Sequence, residues 1–294
     1  MSPNRYFHLA GIIPVSGQMT DFQLDWEDCL MPLAPDYTAI ERSVMECAYA
    51  GCETIWIVAN DDVSPLIKNR VGEYVQDPSY FGKRPGRRSR ANQRRIPIFY
   101  IPISMKDYGK RDCLSWSIIH GSLTAFKISV KMSQWLKPDR YYVSFPFGVY
   151  DPECLKPYRK DISSHTPFAL SYKGQTVADG LYLGFTFDKE DFLNFRRVIR
   201  TGTGMFTANN LRDGKYPTEK LPFAERYSAR FFDIAKVLKD VRLEKVEEVP
   251  WYYSMDSWQG YCDFIGSEHR ETLERPPKFL LDYKQWNLIG DNNE

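Results

Sequence analysis

Short unbroken apolar runs in this chain alternate with longer segments in which apolar residues recur at every third or fourth position. "YFHLAGIIPV" is a continuous apolar run closed by Ser16-Gly17 and reads as a buried strand. "DYTAIERSVMECAYAG" carries an apolar stripe at Ile40, Val44, Cys47 and Ala48 and predicts an amphipathic helix, with Asp36 as N-cap and Gly51 at the C-terminal end. "TIWIVAN" follows as a second continuous strand. Strand, helix and strand with short joints form a parallel βαβ unit. Further on, the pattern predicts a short helix in "SPLIKNRVGEYVQD" and a strand in "RIPIFYIPI", whose prolines place it near an edge. A long helix follows in "DCLSWSIIHGSLTAFKISVKMSQWL", then a strand in "RYYVSFPF". "PFALSY" and "GLYLGFTF" predict an antiparallel pair at the edge of a mixed sheet. Helices are predicted in "DKEDFLNFRRVIR" and "ERYSARFFDIAKVLKD". The expected fold class is α/β: a three-layer sandwich around a mostly parallel mixed central sheet. One domain spans residues 1–275 with a basic loop at 82–97, and residues 276–294 form an irregular C-terminal extension.

Composition changes this picture little. The chain has 294 residues, 43% hydrophobic and 26% charged, the proportions of a globular protein. The formal net charge of +1 argues against whole-surface attraction to nucleic acid or membrane, so any polyanion site must come from local clustering. No apolar run approaches bilayer length and no signal segment is visible, so no membrane partner and a cytoplasmic location are expected. The six cysteines include no CxxC pair and read as free thiols.

The cluster "GKRPGRRSRANQRRIP" places seven basic residues between Lys83 and Arg95 with no acid among them. Arg84, Arg87, Arg88, Arg90, Arg94 and Arg95 are candidates for a protein or nucleic-acid partner, against the alternative of a solvated loop. "RTGTGMFT" follows a helix, not a strand, and so reads as a helix-terminating loop. His120 lacks a nucleophile motif and reads as a packed or capping histidine. Asp61-Asp62 stand where ligands gather in open α/β sheets, though capping of the following helix is equally open. "VPWYYSMDSWQGYCDF" concentrates aromatics that suit a core, with an exposed subset for stacking or an interface.

The order of "AGIIPVSGQMT", "CLMPLAP" and "AIERSVMECAYAGCETIWIVAND" resembles the opening of the sugar-phosphate nucleotidyltransferases. "IIHGSLTAFKISVKM", "DRYYVSFPFGVYD", "DGLYLGFTFDKEDFLNF" and "WYYSMDSWQGYCDFI" resemble later family segments, in order, over Leu9 to Ile265. The resemblance implies a Rossmann-like nucleotide-diphospho-sugar transferase fold. It implies nucleotide contacts from Val15, Ser16, Gly17 and Gln18, and a base-facing helix start at Gly121 and Ser122. It also implies Mg²⁺ held by Asp151 and Asp256, and a nucleotide or nucleotide-sugar as ligand. In overall look, without a motif, the chain also resembles open reading frames of tailed phages.

The departures from the family pattern bear on activity. The family's turn carries an arginine and its next segment a lysine; here Gln18-Met19-Thr20-Asp21 and Asp28 stand near those places. From Phe7 to Ala39 there is no Lys or Arg. Nucleotidyl transfer relies on positive charge that offsets transition-state charge, and each lost contact costs roughly 10²–10³ in rate. Two readings follow: a nucleotidyltransferase-like protein that binds a nucleotide or nucleotide-sugar, or a catalytically silent binding or structural module in an assembly.

Overall fold

The structure, a computed structural model, describes residues 7–17, 22, 24, 26–80, 94–105, 107, 113–133, 136–202, 233–277 and 280–281. The chain opens with β1 (Leu9–Pro14), the antiparallel pair β2 (Pro32–Ala34) and β3 (Tyr37–Thr38), helix α1 (Ala39–Ala50) and β4 (Thr54–Val58). Then come α2 (Ser64–Val71), β5 (Tyr74–Gln76), β6 (Arg95–Ile101), α3 (Leu114–Met132), β7 (Arg140–Val143) and β8 (Gly148–Val149). Next are α4 (Arg159–Ile162), β9 (Phe168–Ser171), β10 (Phe185–Phe187), α5 (Lys189–Gly202) and α6 (Ile234–Leu238). The last are β11 (Lys245–Glu248), β12 (Tyr253–Ser254), α7 (Trp258–Ile265) and α8 (His269–Thr272).

The central sheet runs β11-β9-β10-β7-β1-β4-β6-β5. β1 pairs in parallel with β4 and β7, and β4 in parallel with β6, while β10 and β5 run antiparallel to their neighbours. The βαβ unit and the mixed, mostly parallel sheet expected from the apolar runs are therefore present. β1 and most of β4 are buried on both faces, which is why their sequences read as unbroken apolar runs. Neighbouring residues of β1 face opposite layers. A Cβ on Gly11 would meet Cys47 Sγ of α1 at 2.9 Å, whereas Ile12 lies against Gly121 of α3. α1 and α3 thus cover opposite faces, giving three layers.

Several local expectations need correction. The N-cap of α1 is Thr38, which forms a capping box with Glu41; Asp36 sits in the preceding turn at φ 58°. The segment expected as one helix after β4 ends α2 at Val71 and turns at Gly72 into β5, a short antiparallel partner of β6. β9 and β10 do pair, but the edge beyond them is β11. α1 is buried all round, with Glu41, Arg42, Ser43 and Glu46 as inaccessible as its apolar stripe. In the C-terminal extension, Leu280 accepts from the Gln76 N–H at 2.8 Å and Leu281 bridges Val75. The described part of the tail is thus laid along the β5 edge.

His8, just ahead of β1, is buried; its backbone N–H donates to Asp139 (3.0 Å) and its ring lies 3.5 Å from the Thr54 hydroxyl. Burial pulls its pKa below the ordinary 6.5 against the opposing pull of Glu53 and Asp139, with Arg94 adding to the depression. A depressed folded-state pKa means the unfolded chain binds the proton more readily. The His8 contribution to stability is therefore full above pH 6.5 and is lost as pH falls through the folded value. Urea midpoints followed from pH 7.5 downward should fall less steeply in His8→Asn than in the wild type; parallel profiles would refute this.

Candidate active site

In an open α/β sheet, ligands bind outside the carboxyl ends of the strands where the strand order reverses. Here that point lies between β1, which leads through α1 to β4 on one side, and β7, which arrives through α3 on the other. Beyond β1 the chain makes the expected turn. The N–H groups of Val15 and Ser16 both donate to the Val58 carbonyl (2.9 and 3.1 Å), so the turn stays anchored to β4. Ser16 Oγ donates to Asn60 Oδ1 (2.8 Å), and Ser16 O accepts from Ser117 Oγ of α3 (2.6 Å). Gly17 has φ 91°, and a Cβ there would fall 2.5 Å from the Cys113 backbone, so only glycine lets α3 begin against the turn. Gln18 lies outside the described residues.

Past the end of β7 the chain is apolar, and what holds it lies beneath. Beyond β7 run Ser144, Phe145, Pro146 and Phe147, all buried. Under them Glu46 accepts from Tyr142 Oη and Tyr150 Oη (2.6 Å each), Ser144 Oγ (2.5 Å) and Arg42 Nη1 (2.9 Å). Arg42 Nη2 donates to the Phe145 carbonyl (2.6 Å), and its guanidinium lies 4.7 Å from the Tyr150 ring centroid. Burial alone would lower the Arg42 pKa, but Glu46 and the two tyrosines Tyr150 and Tyr37 outweigh it and hold the guanidinium charged. The tyrosine hydroxyls at positions 142 and 150 are pushed far up by burial and by Glu46, so they remain donors.

The rim carries aromatic rings and carboxylates. Phe22 is buried against Trp258 (ring centroids 5.8 Å) and Tyr261 (6.0 Å), and Tyr261 Oη donates to Pro32 O (2.9 Å). The Met255 N–H donates to Phe147 O (2.7 Å), which extends the β8–β12 ribbon and ties the segment before α7 to the residue ahead of β8. Trp258 and Trp26 are 48% and 55% exposed, free to stack on a ring-shaped ligand. Burial raises the pKa of Glu27, with Asp62 and Asp28 adding to it, so the three carboxylates share one electrostatic neighbourhood. Burial raises Asp28 as well.

Other expected site residues sit elsewhere. Gly121 lies inside α3, not at its start; a Cβ there would meet Val58 Cγ2 at 2.6 Å and Ile12 Cγ2 at 3.1 Å. It serves close helix–sheet packing. Ser122 is buried and its hydroxyl donates to Ile119 O (3.1 Å). Asp151 accepts from the Glu153 N–H (2.9 Å), and Asp256 is exposed. β8 and β12 pair antiparallel with Gly148 opposite Ser254, so Asp151 and Asp256 leave this ribbon from opposite ends. Extended strands would carry them roughly 15 Å apart. The pair does not fit a shared Mg²⁺, and among the described residues no three His, Cys, Asp or Glu side chains form a metal group. Asp62 accepts from its neighbour Val63 N–H, and the His120 ring lies 3.0 Å from Pro102 O.

Of the basic cluster, Arg84, Arg87, Arg88 and Arg90 lie outside the described residues. Arg94 pairs with Glu53 and lies 3.7 Å from Asp77, which Arg159 also holds at 2.5 Å. Arg95 stacks over Tyr74 at 4.4 Å. These two arginines thus make contacts within the chain.

Linear pattern did not single out Asn60, Ser117, Arg42 or Glu46. The i, i+4 spacing of Arg42 and Glu46 inside a helix with apolar flanks was the signal available for the buried pair.

Comparison with solved structures agrees with the architecture. A chain assigned as a glucose-1-phosphate thymidylyltransferase from Bacillus anthracis, in complex with a sucrose, matches with TM-score 0.54 and 11% identity over 92% of this chain and 98% of that one. The fold is that of the sugar nucleotidyltransferases. UDP-glucose pyrophosphorylase matches in its apo form (TM-score 0.49, 12% identity, 91% and 100% of the two chains) and complexed with UDP-glucose (0.48, 11%, 90% and 99%). Those scores add no argument, and identities this low speak for the fold alone. No protein-family model and no curated protein sequence matches the chain. No helix among the described residues is long and apolar enough to cross a membrane.

Proposed function

We propose that this chain binds a nucleotide or nucleotide-sugar in the crevice between β1 and β7 and does not transfer nucleotidyl groups efficiently. The observation that carries the reading is the Ser16-Gly17 turn. It stands at the switch point, is fixed by Val58, Asn60 and Ser117, and is closed tightly enough by α3 to require glycine. The exposed rings of Trp26 and Trp258 suit the faces of a base or a sugar.

Weak transfer follows from charge. The stretch from Phe7 to Ala39 has no Lys or Arg, and Glu27, Asp28 and Asp62 interact at the rim. Past the end of β7 run Phe145, Pro146 and Phe147, and the carboxylate that the resemblance assigns to the metal, Asp151, comes only several residues later. Preorganised positive charge is the main source of rate in phosphoryl chemistry, and an acidic rim opposes it. The same features support use of the chain as a binding module.

Thermal denaturation with a panel of nucleotide-sugars and nucleoside triphosphates, with and without Mg²⁺, tests the proposal. A ligand at a hundred times its Kd should stabilise the fold by about 2.7 kcal/mol. Pyrophosphate release from a triphosphate and a sugar phosphate should stay near the blank. Absence of any shift would remove the binding reading, and rapid pyrophosphate release would remove the claim of weak transfer.

A further inference from the structure

α1 ends in a turn that closes two backbone bonds. The Gly51 N–H donates to Ala48 O (3.2 Å) and the Cys52 N–H to Cys47 O (3.1 Å), with Gly51 at φ 94°. Such a closure sets the side chains of its first and last residues against each other, a place commonly filled by an apolar pair. Here both are cysteines. Their sulfurs converge on one spot: a Cβ on Gly11 of β1 would lie 2.9 Å from Cys47 Sγ and 3.1 Å from Cys52 Sγ. Both residues are fully buried and both thiols are free. Burial pushes the Cys47 thiol far above the ordinary thiol range, and its hydrogen-bonding contact with Cys52 adds to the rise. A disulfide spans Cα atoms about 4.4–6.8 Å apart, and the 3.1 Å backbone bond keeps these two residues within that reach.

We propose that Cys47 and Cys52 are a redox pair, closed by a peroxide into an intrachain disulfide that clamps the end of α1 to its joint with β4. One thiol takes an oxygen from hydrogen peroxide, releasing water, and becomes a sulfenic acid. The second thiol displaces water from that group as the S–S bond forms. Two thiols and one hydrogen peroxide thus give one disulfide and two waters. Because both sulfurs are shielded, the reaction waits for the α1–β4 joint to open, and the finished bond is shielded from reductants in turn. The fold accepts the bond with little rearrangement, since the sulfurs already meet over Gly11, where no side chain stands. This inference goes beyond the nucleotide reading and does not depend on it.

The test treats the full chain carrying Cys262→Ser, which removes the exposed thiol, with hydrogen peroxide below its urea midpoint. After alkylation and tryptic digestion, the peptide from Ser43 to Lys68 should be lighter by two hydrogens and take up no alkyl group. Dithiothreitol should restore both alkylation sites. The Tm of the oxidised chain should exceed that of the reduced chain by a few degrees, because the bond restricts the unfolded state. Cys47→Ala and Cys52→Ala should show neither change. The main readout needs both cysteines in place, so it stands even where a variant fails to fold. A peptide that keeps both thiols, carries oxygen on either cysteine, or joins another cysteine would overturn the pair. So would a bond that forms only above the urea midpoint. A Tm lowered by the bond would overturn the clamp.

Discussion

Replacing Glu46 with alanine lowers the unfolding free energy by about 3–5 kcal/mol, the cost of leaving a buried charge without its partner. The expectation rests on completeness of burial: Arg42 and Glu46 side chains are both inaccessible. Glu46 is also the shared acceptor of Tyr142, Tyr150 and Ser144. Alanine strands the Arg42 guanidinium and three hydroxyls at once. Glu46→Gln keeps an acceptor for some of the hydroxyls and should cost less. Arg42→Met combined with Glu46→Leu removes both charges and should recover much of the loss. Urea denaturation of the four proteins checks the order. Glu46→Ala within 1 kcal/mol of wild type would show that the network is not what fixes the end of β7.

Gly17→Ala carries the second large effect, and it reaches function. At φ 91° an alanine is strained by about 1–2 kcal/mol, and its Cβ would also press on the Cys113 backbone. Turn and α3 must then separate, for a combined loss of about 2–4 kcal/mol. Because the same contact places α3 against the turn, the variant should lose ligand-dependent stabilisation even at temperatures where it is folded. Denaturation with and without nucleotide-sugar separates the two effects. A folded Gly17→Ala that is stabilised as much as wild type would move the binding site away from this turn.

The elements legible in the sequence were those whose burial writes an unbroken pattern. β1, β4 and α3 were foreseen because apolar residues fill both faces of the strands and one long face of the helix. β5 and β11 were not. Each is three or four residues long, and "KVEE" alternates half-buried with exposed positions, so its apolar content is too small to register. The cap of α1 is written locally as well: Thr38 and Glu41 form the Thr-x-x-Glu signature of a capping box, two residues beyond the more conspicuous Asp36.

The candidate site was legible only where it is local. Ser16-Gly17 follows directly from strand, turn and helix. The bonds that fix it join Ser16 to Asn60 and Ser117, and those around Glu46 reach Tyr142, Ser144 and Tyr150; no short window contains such partners. Asp151 and Asp256 show the converse error. Both are carboxylates near one ribbon, but pairing register decides whether such residues converge, and here it sends them apart.

Hydrogen–deuterium exchange with and without a stabilising nucleotide-sugar tests the central claim most directly, because it reads where the ligand is held. The amides of residues 15–17 and 113–117 should exchange more slowly in the complex, with residues 59–62 following through the Ser16–Asn60 bond. Slowing confined to other segments, such as the basic loop at 82–97, would contradict the placement of the site between β1 and β7.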